Sequence, residues 1–171
     1  VERYFRKHHR MAELVCPPLI LPGGEACKNG WTQANRVIEA IARHRLCRQS
    51  FVIVVGGGSV IDVVGFAASL VHRGLKLIRI PSTVLAQDDA GIGVKNGINA
   101  YGAKNFLGCF APPEAVINDL SLLKTLPDTT WRGGIAEAFK VAIIKDRTFF
   151  RFLVRHAGAL KKRADVRLLN R

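Results

Sequence analysis

FVIVVGGGSVID, residues 51–62, decides the fold. Phe51 to Val55 is a short apolar run rich in β-branched residues, the composition of a strand buried on both faces of a parallel sheet. Gly56 to Ser59 interrupts it. Val60, Val63, Val64, Ala67, Ala68 and Val71 then recur at helical spacing. A strand that passes through glycines into a helix presents N–H groups and a positive dipole end at the turn, and both favour a phosphate. Glycines also let a ligand approach the backbone closely and let the chain adopt positive φ. Ser59 is placed either to cap the helix or to donate to a phosphate oxygen. The spacing is not G-x-G-x-x-G, because Ile61 stands where the third glycine would be. It is not a Walker loop, because no Gly-Lys-Ser/Thr follows. A plain tight turn is the competing explanation.

Working outward, Leu77 to Ile80 reads as a second strand, stopped by Pro81. Strand, helix, strand in that order implies a right-handed parallel α/β layer. Pro17 to Pro22 reads as a strand flanked by prolines, and Ala34, Val37, Ile38 and Ile41 give Thr32 to His44 a helical stripe. Ala115 to Asn118 reads as one more short strand. After Pro127 the pattern turns helical. Asp128 is expected to cap a helix reaching about Ile144, Asp146 to cap another, and a third to run from Gly158 to Asn170. The fold class expected is α/β: a parallel Rossmann-like nucleotide-binding layer over residues 1–127, followed by the start of an all-α domain over residues 128–171.

Of the 171 residues, 49% are hydrophobic, enough for a buried core, and the formal net charge is +13. That charge favours anionic partners: phosphorylated metabolites, nucleotides or nucleic acid. No basic stripe interleaved with aromatics and no nucleic-acid motif is present, which argues against the last. No apolar run approaches the roughly 20 residues of a membrane span. The charged Val1–Arg10 stretch is not followed by an apolar signal segment, so a cytoplasmic location is expected. Cys16, Cys27, Cys47 and Cys109 form no C-x-x-C pair and no zinc-finger spacing, as for thiols in a reducing compartment.

Several blocks together carry a family resemblance. GGGSVID (Gly56–Asp62) resembles the cofactor loop shared by dehydroquinate synthases and the iron-dependent alcohol and glycerol dehydrogenases. RGLKLIRIPSTVLAQDDAGIGVKNGIN (Arg73–Asn99) is similar to the central block of the sugar phosphate cyclases, and GAKNFLGCFAPPEAVINDLSLLKTLP (Gly102–Pro127) continues it. GGIAEAFKVAIIKD (Gly133–Asp146) resembles the cyclase segment holding a metal-ligand glutamate, and PGGEACKN (Pro22–Asn29) the loop over the nicotinamide. The match runs from about residue 20 to residue 146, and several blocks in order are more specific than any one loop. The chain thus resembles the 3-dehydroquinate synthase family of sugar phosphate cyclases.

That resemblance implies a tightly held, recycled NAD and a divalent metal, zinc or cobalt. Gly57, Gly58 and Ser59 would face the pyrophosphate, with Asp62 at the same loop. Ser82, Thr83 and Thr125 would contact the cofactor. Glu25 and Lys28 would sit near its ribose and nicotinamide. Asp89, Lys95, Lys104 and Asn105 would line the cofactor–substrate pocket. Arg73 would reach the substrate phosphate, from a neighbouring subunit of a homodimer. Glu137 would bind the metal and Lys140 the substrate. In the family reaction one hydroxyl of a heptulosonate phosphate is oxidised to a ketone, phosphate leaves by β-elimination, the hydride returns, and an aldol step closes the carbocycle. A metal can polarise the oxygens, and lysines can balance a phosphate dianion.

Plainer readings compete. Glu137 and Lys140, three apart on a helix, suit an exposed ion pair. Asp88 and Asp89 suit a helix cap, Lys95, Lys104 and Asn105 suit solvated loops, and Arg73 beside Gly74 suits a helix end. The family's metal site takes two further histidines from a later helical region. His8, His9, His44, His72 and His156 do not stand in that context. A lone Glu137 falls short of the three protein ligands of catalytic zinc, so the expectation is a piece of a longer enzyme, with little activity of its own. Asp89-Ala90-Gly91 also departs from typical dehydroquinate synthases toward valiolone-forming cyclases, and Ala100 replaces a histidine common in the dehydroquinate enzymes, which leaves the substrate open. A metal-dependent alcohol or polyol dehydrogenase shares the glycine loop but would accumulate NADH.

Overall fold

The computed structural model describes residues 1–163. A short helix, α1 (Glu2–Lys7), buries no residue. The expected strand over 17–22 is not formed. Pro17, Pro18 and Pro22 offer no N–H to a ladder, and Ile20 stays exposed. A 3-10 turn (Glu25–Lys28) leads into α2 (Thr32–Arg43), whose buried face is Ala34, Val37 and Ile41.

Phe51–Gly56 forms β1, Gly58–Leu70 forms α3 and Lys76–Pro81 forms β2. The two strands pair in parallel from Phe51 opposite Lys76 to Gly56 opposite Pro81. Helix α3 is apolar almost all round, as a helix must be that packs on several neighbours at once. Ile61, Val63, Phe66, Ala67 and Ala68 meet Val54 and Leu77 of the sheet and the apolar face of α2. A π-helical turn, Ala86–Ala90, follows β2.

Next comes an antiparallel hairpin, β3 (Lys95–Ala100) and β4 (Ala103–Phe110). Its two-residue turn, Tyr101 and Gly102, has positive φ at both positions (51° and 76°), the geometry of a tight hairpin. The sequence reading has no strands here. KNGINA is polar, and its strand character depends on Gly97 and Gly108 facing each other. A Cβ on either glycine would lie 2.6 Å from a carbonyl oxygen of the opposite strand. Finally β5 (Ala115–Val116) pairs in parallel with Ile78 and Arg79, giving a sheet ordered β1-β2-β5.

The helical part begins with a 3-10 helix, Leu120–Thr125, and continues with α4 (Asp128–Lys145) and α5 (Arg147–Lys161). Asp128 is not the cap of α4; Pro127 holds that position. Asp128 instead pairs with Arg132 and with Arg163, at 3.5 and 2.8 Å. Asp146 does cap α5, accepting from the N–H groups of Thr148 and Phe149. Helix α5 runs unbroken through Gly158, so no new helix starts there; the part of that expected helix beyond Arg163 lies outside the described residues. Trp131 is buried with Val84 and Leu123, and its indole N–H donates to Leu160 O at 2.7 Å. None of the described helices is long and apolar enough to cross a membrane.

One glycine fixes how α4 meets the α/β layer. A Cβ on Gly134 would lie 2.4 Å from Val84 Cβ and 2.5 Å from Leu85 N. In an exposed helix Gly→Ala gains up to about 1 kcal/mol. Here overpacking reverses the sign, and Gly134→Ala is expected to cost about 1–3 kcal/mol in urea unfolding. A rise in stability would show that α4 does not dock through this face.

Candidate cofactor and substrate site

Strand β1 ends at Gly56, and Gly57 (φ −77°, ψ 175°) is the N-cap of α3. No side chain caps this helix, so Ser59 does not serve as one. The positive φ expected of the turn is absent, since the glycines with positive φ are Gly24, Gly30, Gly74 and Gly102. What the glycines supply is room. A Cβ on Gly57 would lie 3.2 Å from Thr83 Cγ2, and one on Gly56 would lie 2.9 Å from Val60 Cβ. Ser82 donates its N–H to Gly56 O at 2.8 Å, and Thr83 Oγ1 accepts from Ala86 N at 3.1 Å. Ser82 and Thr83 therefore lie against the glycine turn. The bare N-terminus of α3 and the missing Cβ atoms fit the pyrophosphate of a dinucleotide.

One turn along α3, Asp62 meets Lys28. Lys28 is only 5% exposed, and its ammonium sits 2.5 Å from Asp62 Oδ2 while also donating to the side-chain oxygen of Asn105. Burial pushes the Asp62 carboxyl up from its usual range, and Lys28 opposes that. Asn105 holds an unusual φ of 52° on β4, and its N–H donates to Asn99 Oδ1 at 2.9 Å. The Asn99 amide also donates to Glu25 at 2.9 Å and to Asn29 at 3.1 Å. That hydrogen bond, helped by Lys104 at 3.9 Å and by Lys28, holds the Glu25 carboxyl below its ordinary range. Glu25, Lys28, Asp62, Lys104 and Asn105, distant in sequence, thus form one polar corner.

A second corner lies where the π-helical turn faces α4. Asp88 is open to solvent on one side but crowded by protein on the other. Burial, then Glu137, then Asp89 push its carboxyl up to about 6. Asp89 also raises Asp62, though less than burial does. Glu137 is half-buried and ion-paired to the exposed Lys140. The ion pair of the plainer reading is thus formed. Among the described residues no three His, Cys, Asp or Glu side chains are grouped to hold a metal ion. The described residues therefore do not assemble the ligand set of a catalytic zinc.

Other candidates stand apart. Lys95, at the start of β3, is exposed. Thr125 is exposed at the end of its 3-10 helix. Arg73 lies beyond the far end of α3, whose 13 residues put about 20 Å between it and the glycine turn. Asn99 and Asp88 belong to the two corners but were not among the expected site residues. Asp88 shares its acidic neighbour's position in QDDA, which is the one signal in the sequence.

Comparison with known proteins follows the same blocks. Residues 18–133 match the family model described as 3-dehydroquinate synthase N-terminal. A 3-dehydroquinate synthase of Nitrosospira multiformis is 42% identical over 159 residues, covering 93% of this chain and 43% of that protein. The chain thus spans less than half the length of the curated relatives it matches. Among solved structures, a 2-epi-5-epi-valiolone synthase from Streptomyces hygroscopicus with NAD+ and Zn2+ bound superposes with a TM-score of 0.79 at 36% identity, over 83% of this chain and 39% of its own. A 2-deoxy-scyllo-inosose synthase with carbaglucose-6-phosphate, NAD+ and Co2+ superposes with a TM-score of 0.67 at 31% identity, over 71% and 33%.

The raised Asp88 gives a pH prediction. A carboxyl whose folded pKa is about 6, above its ordinary 3.8, favours folding while it is protonated and loses that contribution as the pH rises through about 6. Thermal melts from pH 4 to pH 8 are expected to show the parent losing stability relative to Asp88→Asn up to about pH 6 and a constant difference above it. Parallel curves would mean that Asp88 is not crowded by Glu137 and Asp89.

Proposed function

The chain belongs to the 3-dehydroquinate synthase family, and from that premise we propose that it is the NAD-binding part of a sugar phosphate cyclase. The observation that carries this reading is the convergence of Lys28, Asp62 and Asn105 beside the glycine turn. A bland strand–helix turn has no need of a buried lysine that ties three separated segments together.

In this reading the N-terminus of α3, with Gly57, Gly58 and Ser59, takes the pyrophosphate. Ser82, Thr83 and Thr125 contact the cofactor. Glu25, Lys28 and Asp62 hold and orient its ribose and nicotinamide end. NAD bound there would supply reversible removal of a hydride from the carbon that bears a substrate hydroxyl, the hydroxyl giving up its proton. Asp89, Lys95, Lys104 and Asn105 face the sugar phosphate, the lysines balancing its phosphate dianion as point charges. Lys140 holds substrate, and Glu137 offers one carboxylate to zinc or cobalt. Arg73, a helix length away in its own chain, fits a role in a partner's site, which makes a homodimer part of the proposal. The reaction is conversion of a heptulosonate phosphate to a carbocycle with loss of phosphate, without net oxidation.

A second substrate reading has its own support in the Asp89-Ala90-Gly91 block and in the 0.79 superposition on a valiolone synthase. It keeps the fold, NAD and cyclisation, and changes the sugar phosphate.

The test is a chimera of this chain with the portion of the Nitrosospira relative that lies beyond the matched residues. Supplied with NAD and zinc, it is expected to release phosphate from a heptulosonate phosphate, or from the heptulose phosphate lacking the carboxylate, while NADH absorbance stays flat. Lys95→Met is expected to lower kcat/KM by about 10- to 100-fold, the loss of a charged contact to phosphate. NADH that accumulates with a polyol would move the protein to the dehydrogenases. The 171 residues alone are expected to show no steady turnover, since Glu137 is the one metal ligand the reading assigns among them.

A further inference from the structure

The mechanism above leaves one buried charge unused. Arg79, in the middle of β2, has no solvent exposure. No carboxylate touches it. Its Nη1 donates to the carbonyl oxygens of Ala90 (3.1 Å), Gly91 (3.3 Å) and Gly93 (2.5 Å). Its Nη2 donates to Asn96 Oδ1 (2.6 Å) and Ala111 O (3.4 Å), and its Nε has no partner. The Asn96 amide in turn donates to Val94 O and Ala111 O, each at 3.1 Å. Helix α3 leaves space for that amide: a Cβ on Gly65 would lie 1.9 Å from Asn96 Oδ1.

A guanidinium buried with no carboxylate in contact is costly even with Asp62 favouring its charge from a distance, and a well-packed apolar side chain in place of a buried charge is often as stable or more so. Stability therefore does not explain Arg79. Its partners do. The carbonyls it gathers belong to the loop between Asp89 and Lys95, which the proposed function places on the substrate. The planar fork fixes several acceptors in one plane, which a point charge does not do. The strand that carries it ends at Pro81, immediately before Ser82 and Thr83 at the glycine turn.

We propose that Arg79 is a positioning residue, which holds the loop from Ala90 to Val94 through its carbonyls and Asn96 and so fixes Asp89 and Lys95 relative to the cofactor turn. This inference rests on the cyclase reading for its purpose and on geometry alone for its action.

The test is amide hydrogen exchange on the 171-residue chain, with NAD titration as a separate readout. Arg79→Met keeps the volume and removes the donors. It is expected to melt within a few degrees of the parent, to exchange at least tenfold faster over residues 90–95, and to leave residues 51–70 unchanged. NAD affinity is expected to fall about tenfold. Arg79→Lys, which keeps the charge and part of the donor set, is expected to recover part of both effects. Gly65→Ala, which displaces Asn96 while retaining Arg79, gives the same local signature should the methionine variant fail to fold. Unchanged exchange over 90–95, or a uniform increase along the whole chain, would overturn the positioning role. A parent chain that does not bind NAD, with the local exchange effect intact, would overturn the cyclase reading instead.

Discussion

The Lys28 ammonium, buried between Asp62 and Asn105, is the contact on which the site depends. It joins the 3-10 turn before α2, the first turn of α3 and the strand β4. A buried ammonium is tolerable only with an opposite charge in contact and its remaining protons donated. Asp62 and Asn105 meet that requirement, and in meeting it they tie the hairpin to α3. The same contact opposes the burial that raises the Asp62 carboxyl. The geometry of the polar corner and the charge state of its walls thus share one cause.

Helix α3 is the second constraint. It lies against β1, β2, β3 and α2, and its neighbours approach closely because its residues are small or are glycines where another chain segment passes. The N-terminus of this rigid helix faces one corner, and Gly65 in its middle admits Asn96 and, through it, the Arg79 network. The influence of Asp89 on Asp62 and of Glu137 on Asp88 then reaches from α3 to the helical part. Burial first, and these like charges after it, raise the carboxyls of Asp62 and Asp88.

Much of this was legible in the sequence, and the exceptions have physical reasons. Helix α2 declares itself by its apolar stripe, β1, α3 and β2 by apolar runs punctuated at the glycines and at Pro81, and α4 by the change of pattern after Pro127. The hairpin does not, since glycines facing glycines and a buried Asn96 remove its alternation. Pro17 to Pro22 looks like a strand by its apolar residues and fails because the prolines cannot donate. The polar corner could be named through the blocks it belongs to, but its contacts span up to 77 residues of chain, which no local pattern encodes. Arg79 carried a signal: a charge on the inward face of an otherwise apolar strand, L-I-R-I-P. Asp88 was hidden beside Asp89, because adjacent carboxylates read most simply as a cap.

Calorimetric titration of NAD into the chain, through a double-mutant cycle of Lys28→Met and Asp62→Asn with thermal melts as a folding control, tests the account most directly. The account predicts saturable binding to the parent, weakened in each single variant, with the double variant losing far less than the sum because the two groups act as one unit. A chain that binds no NAD, or two losses that simply add, would contradict it.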